Sequence, residues 1–68
     1  MDKVYERWMA GNNGSGMMLW FVYRVVKWTE DGIPRSRREV AMNHDGSIRR
    51  FATMDAAFRF ALELNTPE

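Results

Sequence analysis

The chain has 68 residues, which is enough for one domain and too few for two separate hydrophobic cores. It has no cysteine and one histidine, so no disulfide framework, thiolate metal site or zinc ligand set is expected. Ten basic and nine acidic residues give a net charge of +1, so bulk charge gives no support to nucleic-acid binding. The most apolar run, Met17 to Tyr23, is far shorter than the ~20 residues of a membrane-spanning helix. With no signal peptide, we expect a cytoplasmic protein that needs no cofactor and contacts no membrane.

The first ten residues carry apolar side chains at the spacing of one helix face. They are Met1, Val4, Tyr5, Trp8 and Met9. Residues 11–16 then contain three glycines in six positions, a composition typical of a flexible linker. The pattern predicts a short helix over 1–10, which must dock on the rest of the chain to be stable, followed by a linker.

A β-meander is predicted for residues 17–52, because aromatic and β-branched residues alternate with strong turn signals. The three strands are expected at 17–29, 35–42 and 47–52. Asp31-Gly32 and Asp45-Gly46 separate them, and glycine adopts the positive φ of a tight hairpin without steric cost. In this order the first strand lies at an edge of the sheet.

Residues 53–65 predict a C-terminal helix. Thr53 is a good N-cap, and Asp55 lies at the positive end of the helix dipole. One apolar stripe runs along this helix, formed by Met54, Ala57, Phe60, Ala61 and Leu64. The expected fold is therefore α+β, a single domain over 1–68 with the order αβββα and the C-terminal helix packed on the meander.

The two turns also fix a register, if both are two-residue loops. Tyr23 then lies opposite Val40, and Val40 lies opposite Phe51. The face expected to pack on the helix contains Leu19, Phe21, Tyr23, Val25, Val40, Met42 and Phe51. The face expected to point outward contains Trp20, Val22, Arg24, Val26 and Trp28, with Arg35, Arg37, Glu39, Ala41, Ile48 and Arg50 as neighbours.

An outward face with this content needs a partner, because a solvated sheet face normally carries mainly polar residues. The partner can be a nucleic acid, the N-terminal helix of the same chain, or another protein chain, including a second copy that docks through the first strand. For nucleic acid, guanidinium groups neutralise phosphates and indole rings stack on bases. The candidate binding residues are Arg24, Arg35, Arg37, Arg50, Trp28 and Trp20.

Catalysis is not expected. His44 precedes Asp45 in the sequence, but both lie in a predicted turn with no serine, cysteine or lysine in reach. We therefore predict no catalytic residue, no bound metal and no small-molecule substrate.

Residues 19–64 resemble the three-stranded-sheet-plus-helix DNA-binding domain of phage-type integrases and AP2-like domains. The likeness rests on the aromatic and basic stretch Trp20 to Arg24, on the Asp31-Gly32 turn, and on Arg50 to Ala57, where a strand runs into a threonine-capped helix. The resemblance implies that the exposed sheet face enters the major groove of DNA, so that DNA is favoured over RNA.

That DNA contact would involve Arg24, Arg35, Arg37 and Arg50. In size the chain is also similar to phage and plasmid accessory proteins that bind another protein as inhibitors or adaptors, which is the alternative function.

Overall fold

The computed structural model describes residues 2–13 and 19–67. The architecture is α+β, a five-stranded antiparallel sheet with one C-terminal helix. The elements are β1 (Val4–Tyr5), β2 (Met9–Asn12), β3 (Trp20–Glu30), β4 (Ile33–Val40), β5 (Arg50–Phe51) and α1 (Met54–Asn65). The fold class is confirmed, whereas the number of strands and the N-terminal helix differ from the prediction.

The longest strand, β3, is central rather than at an edge. It pairs with β1 and β2 along one side and with β4 and β5 along the other. Its eleven residues are mostly aromatic or β-branched, the types that fit a strand with neighbours on both sides. The expectation that this strand is a free sheet edge is therefore wrong.

The N-terminal segment forms strands where a helix was predicted over 1–10. Tyr5 pairs with Val26 and Met9 pairs with Tyr23, so three residues lie opposite two residues of β3. This is a β-bulge, and it lets Tyr5 and Trp8 point to the same side of the sheet. A helix of this length has little stability alone, whereas the free edge of β3 offers a ladder of hydrogen bonds to the same residues. Of the predicted linker, Gly11 and Asn12 belong to β2, and 14–16 lie outside the described residues.

The first predicted hairpin is confirmed. Asp31 and Gly32 have φ values of 52° and 78°, as a type I′ turn requires, and Glu30 pairs with Ile33 across it. The predicted pairing of Tyr23 with Val40 follows from this loop and is observed.

The second hairpin has a longer loop than predicted. The Asn43 N–H donates to the Ser47 carbonyl at 2.8 Å, and the Gly46 N–H donates to the Asn43 carbonyl at 3.0 Å, which closes a loop with one more residue. Gly46, at φ 89°, occupies the left-handed position of such a loop. The extra residue shifts the register by one, so the predicted pairing of Val40 with Phe51 is wrong. Phe51 pairs with Trp20 instead, where β5 takes over the edge of β3 that β4 leaves.

The helix packs on the opposite side of the sheet from the side predicted. Val22 and Val26, expected to point outward, have no exposed surface. The core cluster joins Val22 and Ala41 to Ala57 and Ala61 of α1. We call this side of the sheet the helix face, with Trp20, Val22, Arg24, Val26 and Trp28 of β3. We call the other side the open face, with Phe21, Tyr23, Val25 and Lys27 of β3.

The predicted start of the helix is confirmed. The Thr53 hydroxyl accepts a hydrogen bond from the Ala56 N–H at 3.2 Å. No helix among the described residues is long and apolar enough to cross a membrane.

Asn65, at the C-terminal end of α1, forms hydrogen bonds with the bulge between β1 and β2. The Trp8 N–H donates to Asn65 Oδ1 at 2.8 Å, and Asn65 Nδ2 donates to the Trp8 carbonyl at 3.0 Å. The asparagine amide thus satisfies both backbone polar groups of Trp8 in a partly buried position, where leaving them unpaired is costly.

We predict that Asn65→Ala lowers the free energy of unfolding by about 1–3 kcal/mol, because it leaves the backbone groups of Trp8 without partners. Urea denaturation followed by circular dichroism measures the loss. Asn43→Ala is the matched control, since its amide bonds only Ser47 at an exposed site. Equal effects of the two substitutions would contradict the role assigned to Asn65.

Candidate nucleic-acid interface

The Arg24 side chain makes its contacts with other residues of the same chain. Its guanidinium carbon is 4.4 Å from the ring centroid of Tyr5 and 4.6 Å from that of Trp8. Its Nη2 atom lies 2.8 Å from Glu39 Oε1, which makes a cross-strand ion pair between β3 and β4. Because its charge is paired with Glu39 and its guanidinium packs against two aromatic rings, Arg24 is a poor candidate for a phosphate contact.

The two candidate tryptophans are also engaged. Trp20 packs against the core cluster beneath α1. Trp28 is partly buried at the far end of β3, where its Nε1 atom lies 3.4 Å from Glu30 Oε2. Arg35 is its partner across the strands, and Lys3 Nζ lies 5.7 Å from the centroid of the Trp28 ring.

The remaining candidate arginines are exposed but separated. Arg35 and Arg37 lie on the helix face of β4, and Arg37 Nη2 is 3.3 Å from Glu39 Oε2. Arg50 pairs with Phe21 and therefore lies on the open face. The structure thus does not bring the six predicted residues into one surface, and their role in nucleic-acid binding stays a prediction.

The open face carries two aromatic rings side by side on the central strand. The centroids of Phe21 and Tyr23 are 5.8 Å apart, with 44° between the ring planes. Both rings lean over Gly11 of β2, because a Cβ atom there would lie 2.9 Å from Phe21 Cζ and 2.9 Å from Tyr23 Cε1. The glycine is therefore what allows the two rings to lie close to the surface of the sheet.

Two arginines flank these rings. The Arg38 guanidinium carbon lies 4.9 Å from the Tyr23 centroid. Arg38 and Arg50 together line a pocket of about 170 Å³ beside Phe21. The other described residues that line it are Asn13, Val40 and Ile48, and none of these carries a carboxylate. Among the described residues neither arginine has an ion-pair partner. The pocket therefore favours an anionic group next to an aromatic surface. We call Phe21, Tyr23, Arg38 and Arg50 the aromatic–basic site.

The sequence pattern assigned two residues of this site, Phe21 and Tyr23, to the interior. The signal that could have corrected it is the size of the side chains. A helix that presents Ala57 and Ala61 approaches closely and fits Val22 better than it fits two large rings.

Two carboxylates have altered acidity. The pKa of Glu39 lies below its ordinary value, first because Arg24 donates a hydrogen bond to it, and also because of the charges of Arg24 and Arg37. The pKa of Asp45 is lowered by hydrogen bonds from the Ser47 hydroxyl and the Ser47 N–H. Within 2–13 and 19–67, no three acidic, histidine or cysteine side chains come together as metal ligands would.

Comparison of the chain with protein-family models, with curated proteins and with solved structures gave no match. The resemblance to integrase and AP2-like DNA-binding domains therefore stays a prediction.

We predict that Gly11→Ala displaces the rings of Phe21 and Tyr23 and costs about 1–3 kcal/mol of stability, because the new methyl group overlaps both rings. The aromatic NMR shifts of the two residues measure the displacement. Gly32→Ala is the control, since its Cβ would meet nothing within 4 Å although its φ of 78° is strained. It should lower stability and leave the ring shifts unchanged.

The ion pair of Glu39 predicts a specific acid sensitivity. Because the folded-state pKa is lowered from 4.5, the stabilisation is complete above that pH and is lost as the pH falls below it. Thermal melts from neutral to acidic pH should therefore show a smaller acid-induced loss for Glu39→Gln than for the unmodified chain. Glu63→Gln, at an exposed carboxylate with no ion pair among the described residues, should leave the acid-induced loss unchanged.

Proposed function

We propose that the aromatic–basic site binds single-stranded nucleic acid without catalysing a reaction on it. The observation that carries the proposal is the pocket in which Arg38 and Arg50 flank Phe21 with no carboxylate in the lining. Proteins that bind single strands combine basic groups that follow the phosphates with aromatic rings on which bases stack.

The positions of the two rings favour a single strand with unpaired bases as the ligand, rather than a duplex. Phe21 and Tyr23 lie on a sheet surface, and a base reaches such a ring face only when it is not stacked between its neighbours in a helix. Two rings with centroids 5.8 Å apart offer stacking surface for adjacent bases, while Arg38 and Arg50 lie where the backbone phosphates would pass.

The resemblance to DNA-binding modules supports the same surface. In those modules the sheet face that is free of the helix contacts DNA, and in this chain that face carries Arg38 and Arg50. The resemblance favours DNA over RNA, and the partly exposed rings favour a single strand, so single-stranded DNA is the first ligand to test. A duplex of the same sequence tests the major-groove contact that the resemblance itself implies, and the matching RNA is tested beside it.

We expect the double variant Arg38→Ala/Arg50→Ala to weaken binding of a labelled single strand and to reduce its salt dependence. Loss of two phosphate contacts lowers the slope of log affinity against log salt by about 1.4 for a single strand. Phe21→Leu keeps an apolar side chain but removes the ring, and should cost about 1–3 kcal/mol of binding. Fluorescence anisotropy at two salt concentrations measures both effects.

The matched control is Arg35→Ala/Arg37→Ala, which removes the same charge from the helix face. It should leave binding nearly unchanged. If this control weakens binding and the Arg38/Arg50 variant does not, the interface lies on the helix face. If the unmodified chain shows no salt-sensitive binding to any of the three ligands, the proposal fails.

One observation favours a second candidate, binding of another protein as an inhibitor or adaptor of the phage or plasmid type. Val4 and Met9 are exposed on the open face, with 61% of Val4 accessible, and they extend the apolar surface beyond the two rings. A protein partner would use this apolar part, so its binding would fall with Met9→Lys and change little with salt.

A further inference from the structure

The helix α1 has more apolar surface than the sheet covers. Ala57 and Ala61 are buried against the sheet. Met54, Phe58 and Leu62 follow one another at four-residue spacing along a neighbouring line of the helix, and all three are exposed, with 53% of Phe58 accessible. We call these three residues the helix stripe. A helix that packs only on its own sheet does not need this second apolar line.

An open groove runs beside the helix stripe. It has a volume of about 510 Å³, and Trp8 and Trp20 contribute to its lining together with the stripe itself. Its lining is mainly apolar, and among the described residues Arg7 is the one charged side chain that lines it. The same patch thus presents both a protruding apolar side chain, Phe58, and an apolar depression, which is what a self-complementary interface requires.

The amount of buried surface also indicates an incomplete assembly. Among residues 2–13 and 19–67, no side chain larger than valine is fully buried. A folded monomer of 8.0 kDa exposes about 4,500 Å², whereas this chain exposes 5341 Å². The excess is close to the ~800 Å² that each partner contributes to a standard protein interface.

We propose that two copies of this chain associate through the helix stripe and its groove. In an antiparallel two-fold arrangement centred on Phe58, the Asp55 carboxylate lies beside Arg59 of the second copy, and the reverse pair forms by symmetry. In the single chain Asp55 Oδ2 and Arg59 Nε are 3.0 Å apart and both side chains are largely exposed, so they are free to bridge the two copies.

Charge excludes the open face as the self-association surface. Two copies placed face to face there would bring Arg38 and Arg50 towards the same groups of the other copy, with no carboxylate in the pocket lining to offset them. The helix stripe is instead flanked by one acid and one base. The proposal uses a different surface from the nucleic-acid site and does not depend on it.

Sedimentation velocity over a wide concentration series tests the proposal. The unmodified chain should shift from monomer to dimer as its concentration rises, and Phe58→Lys should weaken dimerisation at least tenfold, because it places two ammonium groups at the centre of the contact. The matched control is Ile33→Lys, an equally exposed apolar residue at the tip of the first hairpin, which should leave the dimer unchanged. Phe58→Lys should also keep its affinity for a single strand of DNA short enough to occupy only one aromatic–basic site.

A charge exchange provides a second test that leaves the apolar contact intact. Asp55→Arg places two arginines together across the interface and should weaken the dimer several-fold. The double variant Asp55→Arg/Arg59→Asp should restore it. The proposal is overturned if the unmodified chain remains monomeric at all concentrations, or if neither Phe58→Lys nor Asp55→Arg changes the dissociation constant of the dimer.

Discussion

The close approach of α1 to the sheet is the contact on which the rest of the structure depends. Ala57 and Ala61 bring the helix backbone near Val22 and Ala41, and these small residues form most of the buried core. Each face of β3 is apolar enough to serve as an interior, so hydrophobicity alone does not select one. Because the helix packs where the sheet presents the small side chains of Val22 and Ala41, the rings of Phe21 and Tyr23 on the opposite face remain partly accessible. The candidate binding surface is thus a consequence of how the core packs.

The N-terminal strands β1 and β2 shape both faces of the sheet. Its bulge turns Tyr5 and Trp8 towards Arg24, and the two rings hold that guanidinium in place beside Glu39. Three residues after Trp8, Gly11 leaves room on the open face for the rings of Phe21 and Tyr23. A segment that contributes few buried residues therefore explains why Arg24 is part of the protein framework and why the aromatic–basic site has its shape.

Structural features could be predicted from the sequence where the interactions that form them are local. Asp31-Gly32 carries its turn geometry within two residues, and Thr53 forms its cap within the next three, so both were predictable. The prediction of an N-terminal helix was wrong because the apolar spacing of residues 1–10 fits two short strands joined by a bulge equally well. The prediction of which sheet face packs on α1 was wrong, because both sets of alternate residues on β3 are apolar. Packing against residues far away in the chain then decides which set points to the helix. Of the aromatic–basic site, only Arg50 was identified from the sequence. The other three residues could be found only by knowing which face of β3 is open.

The two proposed surfaces fit together geometrically. In an antiparallel pair of helices related by a two-fold axis, the axis is perpendicular to the plane of the helices, so both sheets lie on the same side of that plane. In the proposed dimer their open faces would then point in one direction, and the two aromatic–basic sites would form one bivalent surface. If that surface binds a single strand as proposed, occupation of the first site would raise the effective concentration of the same strand at the second. A domain with one modest pocket could in this way hold a single strand more tightly than either of its halves, without any further contact within the chain.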